Sequence, residues 1–201
     1  MIFTARKNLK LDVSDKQIEI LVGCLLGDAY LTRLGKIQIE QSNKQENYIR
    51  WKHQELFSIS YAGLKEVVRF DKQDKRVTKS FRFWTRQFFK DWRSIFYREN
   101  RKIFPTKLGK YITPLSIAVW YMDDGSYDQK YRCIISTESF DLKSRICLLK
   151  RLRHFKIEAI LKNNGKLAIR SNSLNKFFEL IKPYLHQSMR YKLSLRSASS
   201  S

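Results

Sequence analysis

The order of the predicted elements constrains the fold of this 201-residue chain most, because the same order occurs twice. In each half, hydrophobic periodicity predicts a helix, a strand, a second helix, a hairpin and a third helix. The first helix of each half ends in an aspartate, and these two residues, Asp28 and Asp124, stand 96 positions apart. We therefore predict a tandem duplication with a mixed α/β fold, in which a pseudo-two-fold axis relates two units.

The two predicted units are joined by a polar segment. The first unit spans 1–97 and the second spans 113–195, and residues 98–112 form the predicted linker. The serine-rich end, residues 196–201, is predicted to be a disordered tail.

Local signals place the elements within these units. Thr113 is the predicted N-cap of a helix that begins at Pro114, because proline fits the first helical position. Asn164-Gly165 is a favoured hairpin turn. The other predicted helices span 15–27, 48–59, 87–97, 140–155 and 173–185. The predicted strands span 36–43, 66–70, 76–84, 131–137, 156–163 and 166–171.

The net charge points to a polyanionic partner. Lysine and arginine total 40 against 19 acidic residues, which gives a formal charge of +21 at pH 7. The basic residues alternate with apolar ones along the whole chain, so we expect a broad basic face on a folded scaffold that binds nucleic-acid phosphates. The 13 phenylalanines argue against a disordered basic tail. A purely structural basic protein stays open as an alternative.

The cysteines and the N-terminus favour an intracellular protein without a membrane partner. Cys24, Cys133 and Cys147 are odd in number and far apart, which fits reduced thiols. No secretory signal is recognisable at the N-terminus, and no apolar run approaches the ~18 residues of a membrane span. We expect a reducing compartment, either the cytoplasm and nucleoid or an organelle matrix.

The two helix-end aspartates carry the predicted chemistry. Gly23 and Gly27 in the first helix and Ala118 in the second would let the helices pack closely and bring Asp28 and Asp124 side by side. Two adjacent carboxylates repel each other unless divalent cations neutralise them, and hard oxygen ligands suit Mg²⁺. Beneath a basic surface, such a pair is suited to phosphodiester hydrolysis.

A simpler interpretation has to be weighed at each aspartate. A Gly-Asp pair at a helix end is most often a cap or a turn. The sequence Asp123-Asp124-Gly125 is by itself an ordinary turn signal. The functional interpretation rests on the repetition, because both carboxylates fall at the same place in a duplicated basic scaffold.

These residues resemble a known family. LVGCLLGDA (21–29) and IAVWYMDDG (117–125) are similar to the two LAGLIDADG motifs of single-chain, intron-encoded homing endonucleases. The aspartate at the eighth motif position falls on Asp28 and on Asp124. The first motif departs from the family name at two positions. Leu26 stands where the family name has an acidic residue, and Ala29 replaces the last glycine.

The resemblance implies an activity and a metal. It implies two αββαββα-type units with antiparallel DNA-binding sheets, packed through the motif helices, and double-strand cleavage at a long target site with 3′ overhangs. Two or three divalent ions, normally Mg²⁺, would lie at Asp28 and Asp124 and at the carbonyls of Gly27 and Asp123. Mn²⁺ would substitute for Mg²⁺, whereas Ca²⁺ would bind without supporting cleavage.

The resemblance also nominates polar residues around the metals. Lys102 and Lys192 match the basic residues that polarise the water network, with binding to phosphate as the simpler role. Gln41 and Glu138 would lie at the edge of the site, although Glu138 could equally cap the following helix.

Strand periodicity nominates one face of each sheet for contacts with DNA. The candidates in the first unit are Lys36, Gln38, Glu40, Arg69, Arg76, Thr78, Ser80 and Arg82. The candidates in the second unit are Arg132, Lys162, Lys166, Arg170 and Asn172. Most contacts of this kind are to phosphates rather than to bases.

The remaining expectations concern aromatic residues and partners. The four tryptophans are expected to be core anchors rather than platforms for base stacking, and the three scattered histidines do not suggest a zinc site. The predicted partner is double-stranded DNA, bound by a monomer without an obligate protein partner. The main alternative is an RNA maturase, which would bind its own intron RNA, or a nucleic-acid-binding protein that does not cleave.

Overall fold

The structure of the protein is a computed structural model, which describes residues 1–4, 9–73, 75–128 and 132–193. The side chains of Asp128 and Arg132 and the predicted tail at 196–201 lie outside the described part. The chain divides into two compact units. Residues 1–18 and 28–93 form the first unit, and residues 19–27 belong with the second unit, which continues from Ser94.

Helices and strands alternate in both units. The helices in the described residues are α1 (Asp15–Leu26), α2 (Glu46–Glu55), α3 (Trp92–Phe96), α4 (Pro114–Asp124), α5 (Leu142–His154) and α6 (Leu174–Ile181). The strands are β1 (Ile2–Thr4), β2 (Lys10–Asp12), β3 (Tyr30–Leu31), β4 (Ile37–Ser42), β5 (Lys65–Asp71), β6 (Arg76–Trp84), β7 (Tyr97–Arg98), β8 (Arg101–Lys102), β9 (Gly125–Asp128), β10 (Arg132–Ile135), β11 (Ala159–Leu161) and β12 (Leu167–Ile169).

The two main sheets have the same topology. The first sheet has the order β3-β4-β6-β5 and the second has the order β9-β10-β12-β11, and every pairing in both is antiparallel. In each sheet the strands therefore lie in the order first, second, fourth, third along the chain. The repeated topology confirms the predicted duplication of a mixed α/β unit with antiparallel sheets.

The strand register gives each sheet one buried face. In the first sheet Ile39 lies opposite Phe83, and both are buried. In the second sheet Ile135 lies opposite Leu167, and both are again buried. Because side chains alternate along a strand, the residues between these positions lie on the other face. Helix α2 packs against β4 and β6.

The predicted helix start at Thr113 is confirmed. Its side chain accepts a hydrogen bond from the amide of Ser116, whose hydroxyl accepts one from the amide of Thr113. This reciprocal pair satisfies two amides that the first turn leaves without helical partners. The hairpin turn at Asn164-Gly165 is also confirmed, with Gly165 at φ +82°.

Several predicted element bounds differ from the structure, including the ends of the helix predicted at 173–185 and of the strand predicted at 156–163. The helix predicted at 87–97 is limited to α3, because the amide of Phe89 donates to the carbonyl of Gly35 instead of to a helical carbonyl. The chain then turns into the β7–β8 hairpin, whose two turn residues Glu99 and Asn100 have positive φ. The helix predicted at 48–59 ends at Glu55 and is followed by a 3₁₀ turn. The strands β1, β2, β3, β7, β8 and β9 were not predicted.

The second part of α1 packs closely against α4 within the second unit. A Cβ atom added at Gly23 would lie 2.6 Å from the main-chain oxygen of Ser116 and 2.7 Å from Cβ of Val119. No larger residue fits there without a backbone shift. Gly23 therefore allows direct contact between α1 and α4, as its small size predicted. No helix in the described residues is long and apolar enough to cross a bilayer.

This contact predicts the effect of Gly23→Ala. The added methyl group meets main chain rather than a flexible side chain, so we expect the free energy of unfolding to fall by about 1–3 kcal/mol. Urea denaturation followed by circular dichroism measures it. Gly109→Ala is the matched control, because a Cβ atom there meets nothing within 4 Å. Equal stability of the two variants would contradict the close packing.

Candidate active site

The end of α1 combines a buried carbonyl, an exposed carboxylate and a cation. Gly27 follows the last helical residue and is buried, and Asp28 is exposed. The ammonium group of Lys102 donates a hydrogen bond to the carbonyl of Gly27. Strand β8 presents this lysine, and Nζ lies 5.9 Å from the centroid of the Phe140 ring. A positive charge at a helix C-terminus is favourable, because the carbonyls there carry the negative end of the helix dipole.

The end of α4 repeats this arrangement. The ammonium group of Lys192 donates to the main-chain oxygens of Met122 at 2.6 Å, Gly125 at 2.8 Å and Asp123 at 3.3 Å. In return, the hydroxyl of Tyr121 donates to the carbonyl of Lys192 at 2.9 Å. The 3₁₀ turn Gln187–Lys192 is therefore bound to α4 through both its side chain and its main chain.

Each lysine thus reaches the carbonyl that directly precedes a motif aspartate. Lys102 bonds to Gly27 before Asp28, and Lys192 bonds to Asp123 before Asp124. The two lysines, predicted at matching positions of the two units, therefore make the same kind of contact with the end of a motif helix. Whether they also polarise water stays a prediction.

The glycines of the motifs permit close contacts. A Cβ atom at Gly27 would lie 2.6 Å from Cβ of Asp123, so the Asp123 side chain lies against the Gly27 backbone. A Cβ atom at Gly125 would lie 2.1 Å from the Tyr121 ring. Asp124 is half-exposed, and its carbonyl accepts a hydrogen bond from the amide of Ser136 at 3.1 Å.

The available donors fit a hard divalent cation. Within the described ranges, no group of three or more His, Cys, Asp or Glu side chains could hold a metal. The donors at the helix ends are all oxygens: the carboxylates of Asp28 and Asp124 and the carbonyls of Gly27 and Asp123. Mg²⁺ commonly binds through one or two carboxylates and completes its shell with water and substrate phosphates. The oxygen donors at each helix end have the chemistry that Mg²⁺ prefers, and binding of a metal by these residues stays a prediction.

The two other predicted polar residues lie in different environments. Gln41 is buried near the end of β4. Glu138 is exposed after β10, and its carboxylate lies 3.5 Å from Nζ of Lys166. A catalytic role for either residue stays a prediction, and the observed partner of Glu138 is a residue of the predicted DNA-binding face.

The register places the first group of predicted DNA contacts on the polar face of its sheet. Glu40 lies opposite Arg82, and Arg69 lies opposite Thr78. By alternation the same face carries Lys36, Gln38, Arg76 and Ser80. Together these residues form a continuous surface of polar and basic groups.

Glu40 anchors the basic residues of this face. Its carboxylate accepts hydrogen bonds from Arg69 at 2.5 Å, Ser80 at 2.5 Å and Arg82 at 2.7 Å. Partial burial raises the pKa of Glu40, but the hydrogen bonds from Arg69, Ser80 and Arg82 outweigh it and lower the pKa to about 2. The carboxylate is therefore ionised at neutral pH and fixes two guanidinium groups in place.

The second sheet presents a smaller set. Alternation from Ala168 places Lys166 and Arg170 on the face opposite the core, and Lys162 follows by alternation from Ile160. Glu158 lies beside this set, accepts a hydrogen bond from Asn172 at 3.2 Å and lies 4.0 Å from Arg170. Arg132 belongs to β10, and its side chain lies outside the described part of the chain.

The family assignment follows from comparison with known proteins. Residues 18–177 match the LAGLIDADG DNA endonuclease family. The chain belongs to this family. The match includes both motif helices and both sheets, which confirms the resemblance seen in the two motifs.

Individual relatives have different names and lengths. The chain is 28% identical to protein RecA of Mycolicibacterium flavescens over 90% of its own length, but spans only 47% of that protein. It is 26% identical to the cytochrome b mRNA maturase bI2 of Debaryomyces hansenii, covering 92% of itself and 76% of the relative. The chain therefore spans about half the length of the first of these relatives.

A solved structure has the same fold as this LAGLIDADG protein. The homing endonuclease I-WcaI, bound to its DNA recognition sequence, superposes with a TM-score of 0.79 over 92% of this chain and 89% of its own. The sequence identity is 24%, so the likeness establishes the fold alone.

Two features of the site region were missed from the sequence. No role was predicted for Tyr121, whose hydroxyl donates to the carbonyl of Lys192 and so holds the Lys192 turn. The expectation that all tryptophans are core anchors is confirmed for Trp92 and Trp120 but is wrong for Trp51 and Trp84, which are half-exposed. Periodicity could have placed Trp84 on the face of Arg82, because the two are two residues apart on one strand.

The contacts of Lys192 predict a loss of stability in Lys192→Met. The methionine cannot donate to the three carbonyls at the end of α4, and hydrogen bonds to charged groups contribute about 1.5–3 kcal/mol in total here. Thermal unfolding without divalent cations should show a lower Tm than in the wild type. Arg190→Met is the control, because Arg190 is exposed in the same turn. An unchanged Tm in Lys192→Met would argue against the helix-end role.

The Glu40 cluster predicts a pH dependence. Since the folded pKa of about 2 lies below the ordinary 4.5, Glu40 stabilises the fold fully above pH 4.5, and this contribution disappears as the pH falls toward 2. Glu40→Gln should be less stable at pH 7, by on the order of 1 kcal/mol after allowance for solvent screening. The difference from the wild type should shrink between pH 4.5 and 2, measured by urea denaturation. A difference that is constant with pH would exclude this ionic role.

Proposed function

We propose that this LAGLIDADG protein is a site-specific double-strand DNA endonuclease. It hydrolyses one phosphodiester on each strand in the presence of Mg²⁺, leaves 3′ overhangs and promotes the mobility of its intron. The observation that carries the proposal is the repeated helix end, in which a lysine, a main-chain carbonyl and an aspartate occupy the same positions in both motifs.

The basic faces of the two sheets supply the binding surface in this proposal. Their lysines and arginines contact phosphates and release counterions, so binding weakens steeply with salt. Polar groups that are held in fixed positions, such as Arg69 and Arg82 on Glu40, are suited to hydrogen bonding with base edges in the major groove. We assign the strands of both sheets to target recognition and the helix ends to the chemistry.

Each helix end has a defined task in the hydrolysis. Asp28 and Asp124 would supply carboxylate oxygens to hold a divalent cation. Lys102 and Lys192 fix the orientation of the carbonyls of Gly27 and Asp123 and balance the negative helix ends. When bound, Mg²⁺ supplies Lewis-acid activation of the phosphate and a water of lowered pKa. One carboxylate on each motif matches a reaction that cuts two strands.

RNA maturation is the second candidate function. It is favoured by the likeness to the cytochrome b mRNA maturase bI2 over 92% of this chain. A maturase needs the basic surfaces but not the helix-end carboxylates. The two functions therefore differ in what removal of one carboxylate does, and both allow a monomer that binds its own intron RNA.

We expect Asp28→Asn and Asp124→Asn each to abolish double-strand cleavage and to spare binding. The amide keeps the size of the side chain but loses the charge that attracts a divalent cation, so cleavage should fall by roughly 100-fold or more. The assay is digestion of a randomised duplex library with Mg²⁺, followed by sequencing of the cut ends. Mn²⁺ should replace Mg²⁺, whereas Ca²⁺ should support enrichment of the target without cutting.

The control variant is Asp12→Asn. Asp12 lies in β2, its side chain is 87% exposed, and its removal should leave cleavage unchanged. Full activity in both Asp28→Asn and Asp124→Asn would refute the assignment of the chemistry to these helix ends, and absence of cleavage by the wild type with any divalent ion would refute the endonuclease proposal. Enrichment of one target by the wild type without cutting under any ion would favour the binding or maturase function.

A further inference from the structure

An aromatic cleft opens at the end of the first sheet. It has a volume of about 530 Å³ and lies entirely within the first unit. Its walls come from the β3–β4 turn, the loop before β5 and the paired ends of β5 and β6. The lining residues that matter here are Leu34, Lys36, Tyr61, Lys65, Arg82 and Trp84.

The cleft exposes aromatic and apolar surface. Tyr61 is 68% exposed and Leu34 is 65% exposed, and Trp84 is half-buried beside them. Tyr61 is fixed by its main chain, because its amide donates to the carbonyl of Trp84 at 2.8 Å. Large aromatic residues that line a cavity of this size are typical of a ligand site rather than of packing.

Three basic residues and the carboxylate of Glu66 line the cleft beside the aromatic walls. Nζ of Lys36 lies 4.5 Å from the centroid of the Tyr61 ring, and the guanidinium carbon of Arg82 lies 6.0 Å from that of Trp84. Lys65 is a third basic residue of the lining. A ligand that combines an aromatic ring with negative charge would complement both components, and a nucleotide unit has this composition.

The position of the cleft narrows the choice of ligand. Arg82, Trp84 and Lys65 lie on the same sheet face as the predicted DNA contacts, by the strand register. Bases inside a duplex present their edges to a protein, because their ring faces are stacked on neighbouring pairs. Aromatic walls gain most from the ring face of a base, and that face is accessible only in an unpaired nucleotide.

We propose that this cleft binds one unpaired base of a nucleic-acid strand, with Tyr61 and Trp84 as the stacking residues and Lys36, Lys65 and Arg82 as the phosphate contacts. The proposal deepens the nucleic-acid function proposed above and rests on it. It adds a binding site for single-stranded segments beside the surface that reads a duplex. Both a displaced DNA strand and an intron RNA contain such segments.

The test compares a strand that has bases with one that lacks them. Fluorescence anisotropy measures binding to a labelled oligo-dT of about 20 nucleotides and to an abasic oligomer with the same number of phosphates. We expect the wild type to bind oligo-dT more tightly. Tyr61→Ala and Trp84→Ala should each weaken oligo-dT binding roughly 5- to 100-fold and leave the abasic oligomer unaffected, because one base–aromatic contact is lost.

Two further variants control for folding and for specificity. Trp84→Phe keeps an aromatic ring and should retain most of the affinity, whereas Tyr184→Ala removes an exposed tyrosine of the second unit and should change nothing. Circular dichroism confirms that each variant is folded. An oligo-U arm identifies the preferred strand, and competition by thymidine monophosphate shows whether a free nucleotide suffices.

Specific outcomes would overturn the proposal. Wild-type affinity for oligo-dT in both alanine variants would show that the cleft does not contribute to binding. Equal losses of affinity for oligo-dT and for the abasic oligomer would show that the cleft binds phosphates only and does not stack on a base. Cleavage of duplex DNA by the same variants is measured separately, so a failed endonuclease proposal and a failed cleft proposal are distinguishable.

Discussion

The close approach of α1 to α4 is the contact on which the candidate site depends. Gly23 lets the second half of α1 reach the main chain of Ser116, and Gly27 lets its end lie against Asp123. These contacts place residues 19–27 with the second unit, although the helix begins in the first. Any larger side chain at Gly27 would displace the Asp123 side chain, whose residue supplies a predicted main-chain metal donor. The glycines of the first motif are therefore required by helix packing, and this packing determines where the predicted metal donors lie.

Charge balance explains why a basic protein places two lysines at these ends. A helix C-terminus and an adjacent aspartate concentrate negative potential, and Lys102 and Lys192 offset part of it within each helix end. A divalent cation would act on the same carbonyl of Gly27 or Asp123 that the ammonium group already contacts. The lysines thus hold these helix ends together through hydrogen bonds, and a role for them beside a bound metal stays a prediction.

The sequence predicted the features that depend on local signals and on repetition. The cap at Thr113, the hairpin turn at Gly165 and the repeated α/β order were predictable, because turn chemistry and periodicity decide them. The helix predicted at 87–97 failed because a tertiary hydrogen bond to Gly35 replaced a helical one at Phe89. The matching lysines could be found by comparing the halves, but their carbonyl partners could not, since only the fold brings them together.

On the polar face of the first sheet, Glu40 holds the neighbouring basic side chains in position. As a lone acidic residue on a predicted DNA-binding face, it suggested a base contact, but its carboxylate binds Arg69, Ser80 and Arg82. Guanidinium groups held in this way lose less side-chain entropy when they meet a ligand than free ones do. Arg82 belongs both to the polar face of the sheet and to the cleft. Its Nε contacts the Glu40 carboxylate, and the residue also lines the cleft beside Trp84. A ligand in the cleft would therefore contact the same arginine that lies on the proposed duplex-binding surface.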